Sequence, residues 1–321
     1  MERDLIKTLF ENFVVALEKN DTDSIKNLIT VNITLDFSTI GKHIGKNNVL
    51  SALKWKGKNY DNYTIRITNF AVHEDKKEIY QSAYIQSCVS YEENNFMHAF
   101  LYGGHFVNSI IKENNQWKFN EMRFDLDYVD GNTSFVENWW DLIQYEFFKG
   151  QKLRTSVVAE FDSPWRKCKN KFLSDEDTIK DVFYHYAFAL DTADFDDLIN
   201  TYSDDVKANM PQGSFVGKRD FTSYFKYVRL KEPTFSHAGV FKKIEIVDDL
   251  AYAEIYRTEP HRRGTRFLHK GNKNCIFFTA CYNNVFQKIE DQWYIKEVKY
   301  KTISETIFVP KSIHYLEDME F

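Results

Sequence analysis

The stretch from Ile179 to Asp205, IKDVFYHYAFALDTADFDDLINTYSDD, decides how this chain is read. Ile179, Val182, Phe183, Tyr186 and Leu190 follow the three-four spacing that puts one apolar stripe on one helix face. Ser174 stands before the stripe and Asp177 three residues later, a pairing that resembles a capping box. Thr192-Ala193-Asp194 breaks the stripe, and Phe195, Leu198, Ile199 and Tyr202 begin another. The segment reads as helix, break and helix, with Asp191 at the end of the first. A carboxylate there faces the negative end of the helix dipole and needs a donor or a cation beside it. The plainer alternative is a solvated aspartate in a turn.

The same stretch occurs twice. Ile6, Lys7, Phe10, Ala16, Leu17, Asp21, Asp23 and Asn27 are answered at one constant offset by Ile179, Lys180, Phe183, Ala189, Leu190, Asp194, Asp196 and Asn200. Gly45-Lys46 and Gly217-Lys218 follow at matching places, each before a short amphipathic stretch, Asn47 to Trp55 and Asp220 to Val228. Gln116-Trp117-Lys-Phe-Asn-Glu121-Met-Arg-Phe124 is matched by Gln292-Trp293-Tyr-Ile-Lys-Glu297-Val-Lys-Tyr300, each behind a polar turn. Repeats on this scale read as a tandem duplication. A length of 321 residues agrees, being more than one core usually supports.

Within each copy the helical patterns come first, at about Leu5 to Leu17 and Thr22 to Leu28 in the first. Val31 to Phe37 then alternates as a half-buried strand does. Strand patterns follow at Tyr63 to Val72, Glu78 to Ser90, Phe96 to Ile111 and Trp117 to Tyr128. Helices followed by long strands, taken twice, predict an α+β fold with three helices packed on one face of each curved sheet. The repeat places a first domain at 1–145, a connector at 146–170 and a second domain at 171–321. Trp139, Trp140 and Trp165 predict that the connector packs.

Aromatic residues make up 17% of the chain, with 28 Phe and 19 Tyr, enough for two filled cores and aromatic-lined interiors. A net charge of −5 provides no basic field for nucleic acid. Cys88, Cys168, Cys275 and Cys281 form no CxxC pair and have no zinc-type histidine spacing, so they read as reduced thiols and no metal is expected. The N-terminal MERDLIKTLF is charged from its second residue, and no apolar run reaches membrane-spanning length. A soluble cytoplasmic protein without membrane partners is the expectation.

Helix, break, helix, Gly-Lys, sheet and a closing Trp-x-x-x-Glu strand resemble the nuclear transport factor 2-like superfamily, specifically its SnoaL-like branch, over both copies. The resemblance implies two cone-shaped α+β barrels, each open at one end into an apolar pocket. Within the branch, the second copy is similar to scytalone dehydratase at three places. Ala-Leu-Asp191-Thr-Ala-Asp-Phe matches the segment bearing that family's catalytic aspartate. Pro233-Thr-Phe-Ser-His237 and Arg257-Thr-Glu-Pro260-His261-Arg-Arg263 match the strands bearing its two catalytic histidines. Leu190 and Ala280 depart from the pattern where that family has a tyrosine and a serine, and a tyrosine near Asn209 and Met210 is missing.

The resemblance thus implies Asp191, His237 and His261 as a catalytic set doing acid-base work, since imidazole titrates nearest neutrality and a carboxylate can fix its tautomer. Tyr186, Met210, Phe221, Phe225, Phe278 and Tyr282 are the expected pocket. The expected function is cofactor-free dehydration or isomerisation of a small apolar or carbonyl-containing metabolite. A non-catalytic binding or assembly module of the same fold is the alternative. Read plainly, His237 could be a hydrogen-bonded core histidine and His261 a polar hairpin end. In the first copy Glu18 stands for Asp191 with no matching histidine, and His98 and His105 read as structural or cavity-lining. His185 is six residues from Asp191, off its helix face. Arg262, Arg263, Arg266, His269 and Lys270 read as a solvated loop that could also receive an acidic ligand. An internal pseudo-dimer or a homodimer is the expected assembly.

Overall fold

The computed structural model describes residues 2–75, 78–136, 144–146, 152–154, 156–159, 163–167, 173–231, 236–260 and 275–308. Two compact units divide the chain, one built chiefly on Met1–Lys169 and the other on Asn170–His261 with Ile276–Ile307. Each is an α+β unit of helices and a six-stranded mixed sheet.

The first unit runs α1 (Glu2–Glu18), α2 (Thr22–Leu28), β1 (Ile29–Phe37), β2 (Gly41–Ile44), α3 (Lys46–Leu53), β3 (Asn62–Asp75), β4 (Glu78–Glu93), β5 (Phe96–Glu113) and β6 (Gln116–Gly131). Short elements follow: β7 (Gln144–Glu146), β8 (Lys152–Arg154) and α4 (Pro164–Lys167). The second unit repeats the order as α5 (Asp175–Asp191), α6 (Phe195–Leu198) with a 3-10 turn, β9 (Tyr202–Met210), β10 (Gly213–Val216), α7 (Lys218–Lys231), β11 (Gly239–Val247), β12 (Leu250–Pro260), β13 (Cys275–Ile289) and β14 (Gln292–Phe308). The sheet orders are β2-β1-β6-β5-β4-β3 and β10-β9-β14-β13-β12-β11. In each, the first strand lies parallel to the last and the hairpins are antiparallel. Six strands stand where the sequence pattern suggests five, because Gly41–Ile44 and Gly213–Val216 are too short to show a period.

The duplicated motifs have local causes. At the helix break, Asp21 N donates to Ala16 O and Asp194 N to Ala189 O, both at 2.8 Å. Asn20 and Ala193 there hold φ of 51° and 60°. Asp21 and Asp194 then cap α2 and α6 by accepting from Ser24 N and Asp197 N. The Gly-Lys pairs mark the entries to α3 and α7, where Gly45 and Gly217 take φ of 85° and 87°, which a side chain would resist. Before the two tryptophans, Asn114-Asn115 and Glu290-Asp291 both have φ between 49° and 65°, the left-handed pair that matches strand twist in a two-residue hairpin.

In the first unit, α1 buries Ile6, Leu9, Phe10, Phe13, Val14 and Leu17. Phe10 and Phe13 meet Phe106 and Phe119 of the sheet edge-on, at 5.5 and 5.6 Å respectively. In the second, Phe183 of α5 lies so close to β11 that a Cβ on Gly239 would fall 2.4 Å from its ring. Residues after β6 pack on the other side of the first sheet. Ser156 Oγ and Val157 N donate to Asp125, and Arg123 donates to Val157 O. Trp165 meets His73 edge-on at 4.8 Å.

Candidate active site

Asp191 is the last residue of α5, and His237 lies two residues before β11 begins. The fold brings them together. His237 N donates to Asp191 Oδ2 at 2.8 Å, and His237 Nδ1 lies 2.6 Å from Asp191 Oδ1. Both side chains are almost wholly buried, at 0% exposure for Asp191 and 4% for His237. An ionised carboxylate can only accept, so against it Nδ1 carries the proton and Nε2 is the unprotonated nitrogen. The helix end is also tended from α7, where Arg229 Nη2 donates to the Asp191 carbonyl at 2.8 Å. That bond places a cation at the negative end of the α5 dipole.

Aromatic side chains surround the pair. Tyr186 meets the His237 ring edge-on at 5.7 Å, and it neighbours Tyr202 and Phe225. Burial pushes the Tyr186 hydroxyl well above its ordinary value, and the nearby Tyr282 and Tyr202 add to this while the Arg257 guanidinium opposes it. Burial likewise raises Tyr202. Both hydroxyls therefore stay neutral and able to donate through the physiological range. Tyr202 Oη and Ser236 Oγ are buried without a hydrogen-bond partner. Arg257, 5% exposed, donates from Nε to the Ser236 carbonyl at 2.7 Å, next to His237.

The first unit supplies an internal control. The turn pairs Asp75↔Glu78 and Val247↔Leu250 correspond, and the same count makes Ile67↔Ile85 answer Gly239↔Arg257. Ile65 thus stands where His237 does, and Ile85 where Arg257 does. Glu18 Oε1 accepts from Ile65 N at 2.6 Å, just as Asp191 accepts from His237 N. The clamp between helix end and strand amide is therefore common to both units, while the imidazole belongs to the second alone. Phe13, Ile29 and Phe106 are likewise replaced by Tyr186, Tyr202 and Tyr282, all six buried. In the first unit a Tyr63–Tyr102 hydroxyl pair at 2.5 Å occupies the interior beside Glu18.

Of the expected pocket, Tyr186, Phe221, Phe225 and Tyr282 are buried in the second unit and Met210 is half-buried at the end of β9. Phe278 lies on β13 opposite Glu259, its side chain outside the described residues. His261 and the cluster Arg262, Arg263, Arg266, His269 and Lys270 also lie outside them. His185 Nε2 sits 2.9 Å from Asp197 and ties α5 to α6. His105 binds Asp127 at 3.0 Å and stacks on Tyr84, while Tyr102 joins the apolar core with Tyr63. His98 stacks on Tyr91. A groove of about 420 Å³ lies elsewhere on the second sheet, lined by Lys243, Glu245, Tyr252, Glu254, Lys296 and Lys299, and contains neither Asp191 nor His237. Among the described residues no group of three or more His, Cys, Asp or Glu could hold a metal, and no helix is long and apolar enough to cross a membrane.

Arg229, Arg257 and Tyr202 are the members of this site that motif reading passes over. Arg257 had a signal, since it continues the inward alternation Ala251, Ala253, Ile255 and so reads as an arginine on a core face.

The second unit thus belongs to the class of α+β domains in which a helix end presents a carboxylate to a strand histidine inside an aromatic interior. The sequence model of the SnoaL-like domain family matches residues 171–299, within this unit. Solved structures with similarity include a scytalone dehydratase candidate from Novosphingobium aromaticivorans, 13% identical over 40% of this chain and 85% of that one, TM-score 0.36. A hexachlorocyclohexane dehydrochlorinase, LinA-type3 from Novosphingobium barchaimii, is 13% identical over 41% of this chain and 91% of that one, TM-score 0.35. A nuclear transport factor 2-like superfamily protein from Salmonella enterica is 14% identical over 38% of this chain and 88% of that one, TM-score 0.33. No curated protein matches the chain.

Proposed function

We propose that the second unit is a small-molecule enzyme performing cofactor-independent proton transfer, of dehydratase or isomerase type. The observation that carries this reading is the buried Asp191–His237 pair, set against a first unit that keeps the same carboxylate clamp without the imidazole. His237 Nε2 takes a proton from a carbon next to a carbonyl, and Asp191 holds the ring and stabilises the imidazolium that forms. Neutral tyrosine hydroxyls donate to the oxygen on which charge develops. The imidazolium, or His261 where the resemblance places it, returns the proton. Delivery to a departing hydroxyl completes dehydration, and delivery to another carbon completes isomerisation.

The alternative is a binding or assembly module, and Glu18 is the observation that favours it, because the first unit makes the same clamp without an imidazole. Exchange of α-protons of small aromatic ketones in D2O, followed by proton NMR, separates the two. The enzyme reading expects exchange by the wild type and a loss of about 100-fold or more in His237→Ala, the usual scale for a lost acid-base group. Exchange that survives in His237→Ala with an unchanged melting curve sinks it.

A further inference from the structure

We infer that Arg229 is a positioning residue for the Asp191–His237 pair, and that its positive charge at the end of α5 keeps His237 a free base near neutral pH instead of an imidazolium held by the carboxylate. The inference rests on the proposed function for the use of that base, but on separate residues for its content.

The two units part at one hydrogen bond. An α-helix leaves its last four carbonyls without intrahelical donors. In the first unit those of Val15, Ala16 and Leu17 accept from Lys19 N, Asp21 N and Asn20 N, and in the second those of Phe188, Ala189 and Leu190 accept from Thr192 N, Asp194 N and Ala193 N. The fourth belongs in each case to the carboxylate residue and is reached by a distant side chain. Tyr60 Oη donates to the Glu18 carbonyl at 2.8 Å, and Arg229 Nη2 donates to the Asp191 carbonyl at 2.8 Å. A neutral hydroxyl therefore suffices for the carbonyl, and what the second unit adds is charge. The means is a longer helix, since α3 has 8 residues and α7 has 14, and Arg229 lies on the extra turns.

That charge has a task in the second unit that it lacks in the first. Glu18 is half-buried, whereas the Asp191 side chain is 0% exposed. Asp191 holds a proton at His237 Nδ1, 2.6 Å away, and also favours a second one at Nε2, because an imidazolium neutralises it. A cation on the backbone of the same residue opposes that second proton, since it offsets the carboxylate and repels the imidazolium. The pair titrates as one unit, and Arg229 lowers the pH at which its Nε2 proton leaves. Around the pair stand Tyr186 on α5, its neighbours Tyr202 and Tyr282, and Arg257, which donates to the Ser236 carbonyl. Burial keeps Tyr186 and Tyr202 neutral. Around the helix end stand Asp194, which caps α6, the His185–Asp197 pair, and Lys226 over the Phe195 ring. Arg229 is bonded to the carboxylate's own residue.

The test follows the His237 ring across pH by long-range nitrogen–proton correlation spectra of ¹⁵N-histidine-labelled protein, with no substrate required. Arg229→Gln keeps a hydrogen-bond donor and removes the charge. Its Nε2 titration is expected to move upward by about 0.5–1.5 pH units, a gain of about 3- to 30-fold in proton affinity, the range for a charge at a helix end. Arg229→Lys is expected to stay with wild type. A purely structural role would lower the melting curve and leave the midpoint in place. An unmoved midpoint or a downward shift in Arg229→Gln, or an equal upward shift in Arg229→Lys, overturns the inference. Arg229→Met takes the place of the Gln variant if that does not fold. An upward shift in a protein that exchanges no α-protons would uphold the inference and remove the enzyme reading. An unmoved midpoint with His237-dependent exchange intact would do the reverse.

Discussion

Changing Asp191 to asparagine perturbs one atom and should reverse the function of a neighbour. The His237 backbone N–H points at Oδ2, so the new side-chain amide must turn its oxygen there or leave a buried donor unpaired at about 1–3 kcal/mol. Its NH2 then faces Nδ1, which must become an acceptor. The ring proton moves to Nε2 and the lone pair needed for proton abstraction is lost. Both hydrogen bonds survive in neutral form, so the stability cost is the difference between charge-assisted and neutral bonds, about 1–2 kcal/mol. Turnover should fall far more, on the order of 10⁴, the size found when the same change inverts a tautomer in a catalytic triad. Long-range nitrogen–proton correlation spectra of ¹⁵N-histidine-labelled protein, taken above the imidazolium titration, read the tautomer without any substrate. Wild type should show His237 with a bare Nε2 and Asp191→Asn with a bare Nδ1. A bare Nε2 in both would mean that Asp191 does not set the tautomer and would refute the reasoning.

Two further outcomes concern stability. Ala193 holds φ of 60°, where Asn20 serves in the first unit, so Ala193→Asn should gain about 0.5–1 kcal/mol in urea unfolding with an unchanged m-value. A destabilised variant would mean that the methyl group has a packing role at the site. Asp175 at the start of α5 has its pKa lowered by bonds from Trp293 and Lys288. A depressed folded value means that the contribution is present above the unfolded carboxylate range near about 4 and is lost as pH falls through the folded one. Wild type should therefore exceed Asp175→Asn in melting temperature at about pH 7, by less than about 1 kcal/mol given the exposure of the pair, and the gap should close in acid. A gap independent of pH would assign the effect to shape rather than charge.

The architecture was legible because its determinants are local and occur twice. The helix break, the Gly-Lys entries and the Gln-Trp strands each mark a backbone conformation that only certain residues favour, and matching offsets reinforced them. The strands β2 and β10 were not legible, since four residues carry no period. Asp191 and His237 could be named because family motifs held them, but their approach depends on a pairing across 46 positions that no local pattern encodes. Arg257 and Tyr202 were missed for a related reason. A polar residue on an inward face looks like noise in a strand until the register shows what it replaces. His261 shows the reverse, a residue easily named from a motif whose place falls outside the described residues.

The duplication also separates two duties that a single domain would confound. A carboxylate at the end of the first helix is unfavourable alone, yet both units keep one, and both satisfy it with the amide of a strand residue, Ile65 or His237. Holding helix to strand is therefore the shared duty, and Glu18 discharges it beside the Tyr63–Tyr102 hydroxyl pair, with Ile65 in place of the histidine. A shorter side chain in the second unit, Asp191, leaves its other oxygen facing a ring nitrogen instead. The polar positions of that interior then fall into place together, since Tyr186, Tyr202, His237, Arg257 and Tyr282 all stand where the first unit has Phe or Ile. Stability alone would favour the apolar set, because each buried polar group must recover its desolvation cost. Five such exchanges around one carboxylate are what the proposed proton transfer would require, and the first unit shows the same fold filled with apolar side chains at those positions.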